Sequence, residues 1–347
     1  SATDEAGGCS GSSKSGLDLR AGGPYAVRAG ACDEPWVKQA ALILQREGFV
    51  VILDALPPAS AARVLEACER VEVEMLAYDP GHIGCRDPGR YSFGAASRSG
   101  HMLHHPAWRH LLDCQPVLAV LAAALPDGFR YCGGGGDFVR GGTVNYQALH
   151  SDLGAQRVPA PQQVNWPPPK LCVNFAVQDI LTSDFGPMRV VPCRKVLSAR
   201  PEERPPCFPM EPDEMREGKL FPLPAGAAII RDLRLWHAGT PNLTSRTRFL
   251  PNVEVQSAQY AQFVDSPHTF NQSECCVCRA WKCSLPPKER ARVLCPDVFK
   301  ELSAQARAAS EAIVAASSAA IPRGVRPNFA QLQQTWLKGA GKGGKGG

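Results

Sequence analysis

The stretch NYQALHSDLG, residues 145 to 154, sets a histidine and an aspartate two residues apart, at His150 and Asp152. On a strand or strand end, side chains two apart point to the same face, so an imidazole and a carboxylate can be aimed at one point. That is two thirds of a metal site. A third ligand is offered by His237 in RDLRLWHAGTPNLTSRTRFL. It ends an apolar run, AAIIRDLRLW, that reads as a strand, and it precedes a Gly-Thr-Pro-Asn turn. Two histidines and one carboxylate on one face of a metal leave three positions open, the arrangement of non-haem Fe(II) oxygenases. Open positions are where a co-substrate and O2 bind.

Arg246 and Arg248 follow in SRTRF. Within a strand they alternate with Ser245 and Thr247, so one face would carry both arginines. A dicarboxylate held by iron at one end needs a fixed cation at the other, and the planar fork of arginine pairs with a carboxylate through two parallel hydrogen bonds.

Elements must carry these residues. CDEPWVKQAALILQREG predicts a helix, with Asp33 as a cap, Pro35 in its first turn and Gly48 at its end. FVVILDAL reads as a strand and PASAARVLEACERVEVEML as a second helix. Residues 106 to 126 read as one or two short helices broken near Pro116. Beyond them come short apolar runs punctuated by Gly and Pro: TVNYQALHSDLG, KLCVNFAVQDIL, MRVVPC, AAIIRDLRLWHAG and RTRFLPNVEV. This texture predicts a mainly β fold with flanking helices, its core an antiparallel double-sheet jelly roll, that is, a cupin-like double-stranded β-helix. The chain after residue 283 is rich in Ala, Glu, Arg and Leu and reads as helical again.

Composition narrows the function classes. With 44% hydrophobic and 20% charged residues the 347-residue chain has ample core material. The longest apolar run, residues 116 to 126, is about half of the ~20 residues a membrane helix needs, so no membrane role is expected. The N-terminal stretch lacks the apolar core of a signal peptide, which points to the cytoplasm. The net charge is +5, of which Lys338, Lys342 and Lys345 lie in the closing LKGAGKGGKGG. The remainder is near neutral, which argues against a nucleic-acid surface. The fourteen cysteines are scattered beside apolar residues and predict small core hydrophobes in a reducing compartment.

Taken together, HSD, FAVQDILTSDFGPMRVVP and LWHAGTPNLTSRTR resemble the phytanoyl-CoA dioxygenase family of Fe(II)- and 2-oxoglutarate-dependent oxygenases. LQREGFVVILDAL is similar to the family's N-terminal helix and strand, and the similarity spans roughly residues 36 to 255. The resemblance implies that His150, Asp152 and His237 ligate Fe(II) and that Arg248 holds the distal carboxylate of 2-oxoglutarate, with Arg246 as the fallback. It implies that Phe175 lines the co-substrate pocket. The activity implied is hydroxylation of a C–H bond in a small or medium organic substrate, with release of succinate and CO2. Halogenating relatives carry a small residue in place of the aspartate, and here Asp152 is present. Where relatives have PGSH this chain has PCRK at 192 to 195, which leaves substrate preference open. The competing reading is a non-catalytic jelly-roll protein that keeps a metal or ligand.

The organisation expected is a flexible leader over 1–32 and an oxygenase domain over 33–258. Within that domain 33–126 would be helical and 127–258 the jelly-roll core. A Cys-rich segment with C-terminal helices packed on the core would occupy 259–322, and a Gly/Lys-rich tail 323–347. Cys275, Cys276, Cys278 and Cys283 lack the two close pairs of a structural zinc site and read as plain thiols. His101, His104, His105 and His110 read as solvated. YCGGGGDF, residues 131 to 138, lacks the Lys-Ser/Thr of a phosphate loop and reads as a flexible turn between strands.

Overall fold

The computed structural model describes residues 23–32, 35–82, 85, 87–92, 106–147, 149–153, 166–191, 218–265 and 294–315. The expected helix, strand and helix form at α1 (Pro35–Glu47), β2 (Phe49–Leu53) and α2 (Pro58–Tyr78). Gly48 ends α1 with a φ of 80° while its N–H still bonds to the Leu44 carbonyl, the left-handed cap that glycine adopts at least cost. The 106–126 region forms a 3-10 turn (Pro106–Trp108), α3 (Arg109–Leu112) and α4 (Gln115–Ala124). The break falls at Asp113 and Cys114, and Pro116 lies in the first turn of α4, where its missing N–H costs nothing.

The remaining strands are β1 (Ala26–Arg28), β3 (Arg90–Ser92), β4 (Phe129–Val139), β5 (Lys170–Phe175), β6 (Met188–Val190), β7 (Lys219–Phe221), β8 (Ala228–Asp232), β9 (His237–Gly239) and β10 (Arg248–Ser257). They build a seven-stranded sheet in the order β1-β2-β8-β5-β10-β4-β3 and a three-stranded sheet in the order β7-β6-β9. Among these strands only β1 and β2 run parallel; every other pair is antiparallel.

Alternation along the strands divides the large sheet into two faces. Val50, Ile52, Val173, Phe175, Ile230, Phe249 and Val253 pack with the apolar sides of α1, α2 and α4. Phe49, Val51, Ile229 and Leu250 face the other way and pack with Met188, Val190 and Phe221 of the small sheet. The described residues thus form two sheets with helices packed on one side of the larger, in line with the expected sheet core and flanking helices. α5 (Ala258–Asp265), α6 (Pro296–Lys300) and α7 (Ala304–Ser310) follow. Leu294, Val298, Leu302, Ala306 and Ile313 share the helix-side core, so residues 294–315 are packed on it.

Three expectations are corrected. The leader does not reach residue 32: Ala26–Arg28 pairs with Val51–Leu53, and Tyr25 stacks against Phe49 at 5.2 Å. Three residues are too few for a period to show, yet the edge of β2 supplies the hydrogen bonds. YCGGGGDF is no turn but the middle of β4, and its glycines permit close approach. Gly136 faces Pro251 and Gly134 faces Val253, and a Cβ on Gly134 would sit 2.6 Å from the Asn252 carbonyl oxygen. Pro251 is tolerated because pairing with β5 begins only at Asn252. Lastly, AAIIRDLRLW is not one strand: β8 stops at Asp232, where a turn closed by Leu235 N–H on the Asp232 carbonyl (3.0 Å) sends the chain into the small sheet. The Cys275–Cys283 block, the 192–195 loop, His101, His104, His105 and the tail after 315 lie outside the described residues.

Crowding against β10 predicts a contrast between two neighbouring glycines of similar backbone. A Cβ on Gly133 would meet nothing within 4 Å, whereas one on Gly134 would meet the β10 backbone. Gly134→Ala should lower the unfolding free energy by about 1–3 kcal/mol more than Gly133→Ala, read from urea midpoints. Equal midpoints would show that spacing of the two strands is not what the glycines provide.

Candidate metal centre

The segment carrying His150 is irregular except where it meets the distal strand. His150 N–H donates to the His237 carbonyl at 3.1 Å and His237 N–H to the His150 carbonyl at 2.9 Å. Residues that exchange both backbone bonds across an antiparallel pair place their side chains on one face. The two imidazole centroids accordingly lie 4.5 Å apart. The same zipper continues on both sides, with Gln147 N–H on the Gly239 carbonyl (2.9 Å) and Leu153 N–H on the Leu233 carbonyl (3.0 Å). The Gln147 side chain adds a bond from Gly239 N–H at 3.1 Å.

Asp152, two residues on, joins the same face. One carboxylate oxygen lies 3.4 Å from His150 Nε2 and the other 3.4 Å from His237 Nε2. Among the described residues, ligand atoms of His150, Asp152 and His237 all fall within 4.8 Å of one another. His237 is buried, and its Nδ1 lies 3.1 Å from the Leu235 carbonyl oxygen. An N–H there donates to that carbonyl and leaves the Nε2 lone pair turned toward Asp152.

Charge favours the same state. Burial, then the Arg231 guanidinium, hold the His237 imidazole well below its ordinary pKa, so it is a neutral donor. Burial works against the Asp152 carboxylate, but cationic neighbours, His237 when protonated and Arg231 always, outweigh it and hold the group well below the usual range. The Asp152 side chain keeps 33% of its surface open to solvent. Two imidazoles and one anionic carboxylate match the donor set of a divalent first-row metal with open positions.

Arg248 opens β10 on the sheet face that looks toward the small sheet, two residues ahead of Leu250. It is 1% exposed and donates to Asp137 at 3.2 Å, and its Nε has no hydrogen-bond partner among the described residues. The turn that delivers it is pinned by buried Asn242. Its amide donates to the Val139 and Arg246 carbonyls at 2.9 and 2.7 Å, and its oxygen accepts from the Thr244 hydroxyl at 2.8 Å.

Two sequence expectations fail here. Arg246 does not share a face with Arg248: it precedes the strand, is exposed, and stacks over the Phe185 ring at 5.2 Å. Phe175 lies among the helix-side core residues, because alternation on β5 turns its neighbour Asn174 to the site side instead. Asn174 and Arg231 were not foreseen. The available signal was a charge at an inward-facing position of an apolar strand, AAIIRD. His110 lies on the helix side, 3.2 Å from Ser60.

Solved structures similar to this chain include the non-heme alpha ketoglutarate dependent epimerase SnoN from nogalamycin biosynthesis. It is 18% identical over 64% of this chain and 83% of that one, with a TM-score of 0.44. EctD from S. alaskensis in its apoform is 16% identical over 69% of this chain and 83% of that one, with a TM-score of 0.48. AviO1 from Streptomyces viridochromogenes Tue57 is 17% identical over 66% of this chain and 97% of that one, with a TM-score of 0.43. A model of the phytanoyl-CoA dioxygenase (PhyH) family matches residues 44–250. That match covers well over half of the sequence and takes in β2, the His150–Asp152 segment, His237 and Arg248, and the chain belongs to the phytanoyl-CoA dioxygenase family.

Proposed function

We propose that the protein is an Fe(II)- and 2-oxoglutarate-dependent dioxygenase that hydroxylates a C–H bond of a small or medium organic substrate. The observation that carries this reading is the convergence of His150, Asp152 and His237 within 4.8 Å, inside the family match. These three residues would hold the iron. The two sheets are read as the double-stranded β-helix that such a site needs, within an oxygenase domain that ends near residue 258. A cytoplasmic setting is part of the same reading.

Bound iron, 2-oxoglutarate and O2 supply the oxidising power, with succinate and CO2 as co-products. The chain's own residues bind and orient. The Leu235 carbonyl fixes the His237 tautomer, and the His150–His237 backbone pair fixes the separation of the two rings. Arg248 would take the distal carboxylate of 2-oxoglutarate: its guanidinium is buried, oriented by Asp137, and carries an Nε donor with no partner among the described residues. Phe185, Ile229 and Leu250 belong to the apolar cluster between the sheets and keep water from that interior. Asp152 is present where a halide would otherwise bind, which favours hydroxylation.

Anaerobic addition of Fe(II) and then 2-oxoglutarate to the apo-protein should give a saturable visible charge-transfer band. His150→Ala and His237→Ala should lose both the band and the uncoupled conversion of 2-oxoglutarate to succinate while keeping the wild-type circular dichroism. Turnover retained in either variant sinks the assignment. Arg248→Gln should raise the 2-oxoglutarate concentration for half-maximal band intensity by about tenfold or more, the equivalent of losing a hydrogen bond to a charged group. An unchanged half-saturation in a folded variant would remove Arg248 from that role.

A further inference from the structure

We infer that Arg231 is a positioning residue for the metal centre, fixing the Asp152 carboxylate in the orientation from which it shares an ion with His150 and His237. This inference rests on the iron-site reading above and extends it to a residue outside the ligand set.

Arg231 stands on β8, next to the strand's last residue, on the face that carries Ile229. It is 5% exposed, and three of its nitrogens have defined neighbours. Nη2 donates to Asp152 Oδ2 at 2.7 Å, Nε donates to Asn174 Oδ1 at 3.3 Å, and Nη1 lies 3.4 Å from His237 Nδ1. Asn174 is itself buried on β5, where its Oδ1 also accepts from the Cys172 thiol at 3.5 Å. The guanidinium is therefore held by a regular strand on one side and grips a carboxylate on the other.

That carboxylate needs holding. His150 and His237 are tied to each other through the backbone, but Asp152 lies two residues past the pair, in a bend, with a third of its side chain open to solvent. A carboxylate on such a segment turns about its last torsion with little resistance. The hydrogen bond from Arg231 engages Oδ2 and leaves Oδ1 on the His150 side, so the two oxygens become inequivalent before any ion arrives. Outer partners of this kind set the orientation of a ligand, and removing them costs about 10–100-fold in metal affinity. The planar fork matters as much as the charge, since a lysine ammonium cannot reach Asn174 and Asp152 in two fixed directions.

The test uses Co(II) as the probe on the full chain, following its visible absorption and the thermal midpoint. Arg231→Lys keeps a cation beside the site, so electrostatic repulsion of the ion is unchanged and only positioning is lost. Co(II) affinity should fall about 10–100-fold, with an altered absorption envelope and a near-native melt in the absence of metal. Asn174→Ala, which leaves the ion pair but frees the guanidinium, should weaken Co(II) binding in the same direction by a smaller factor, and it carries the test should Arg231→Lys not fold. Co(II) binding as tight as wild type or tighter in Arg231→Lys, with an unchanged spectrum, overturns the inference. Failure of the underlying reading looks different: wild type and His237→Ala would then bind Co(II) equally poorly, and the inference falls with it.

Discussion

The reciprocal backbone hydrogen bonds between His150 and His237 are the constraint on which the site depends. They join two segments far apart in the sequence, one of them otherwise irregular, and they do so through main-chain atoms that every sequence possesses. Side-chain identity then decides what the junction can do. Leucines there would make a patch of core; two imidazoles with an aspartate beyond them make a chelating face. The turn after β8 matters for the same reason, since it moves the chain from the large sheet to the small one just before His237.

The large sheet separates chemistry from stability by its two faces. Its helix side carries the long apolar rows that bury α1, α2, α4 and the C-terminal turns, each large side chain contributing on the order of 1.5–3 kcal/mol. Its other side mixes apolar residues such as Ile229 and Leu250 with Arg231, Asn174 and Arg248. Buried polar groups are costly unless paired, and here they pair mostly with one another. Arg231 pairs with Asp152 and Asn174, and Arg248 pairs with Asp137.

What is legible in the sequence follows from what is local. The α1, β2 and α2 pattern is readable because helix and strand periods span many residues, and Gly48 marks the boundary by its conformation. His150, Asp152 and His237 are readable because a metal demands particular donor atoms. The glycine run of β4 misleads because its meaning lies in a distant partner strand: only with Pro251 opposite does a missing Cβ become a packing requirement. Phe175 and Asn174 exchange roles because a one-residue step reverses the face, and nothing local in KLCVNF fixes that phase. Arg246 and Arg248 part because the strand starts later than the alternation suggests, and Arg231 lies hidden in a run whose length implies plain burial.

The connection from β9 to β10 crosses from the small sheet to the large one. His237 opens one arm and Arg248 opens the other, with the Asn242 turn clamped between them. β9 pairs with β6 in the small sheet, whereas β10 pairs with β4 and β5 in the large one. The separation of the imidazole from the guanidinium is therefore set by how the two sheets pack on each other, and a change of volume in the apolar layer between them would move one group relative to the other without touching either.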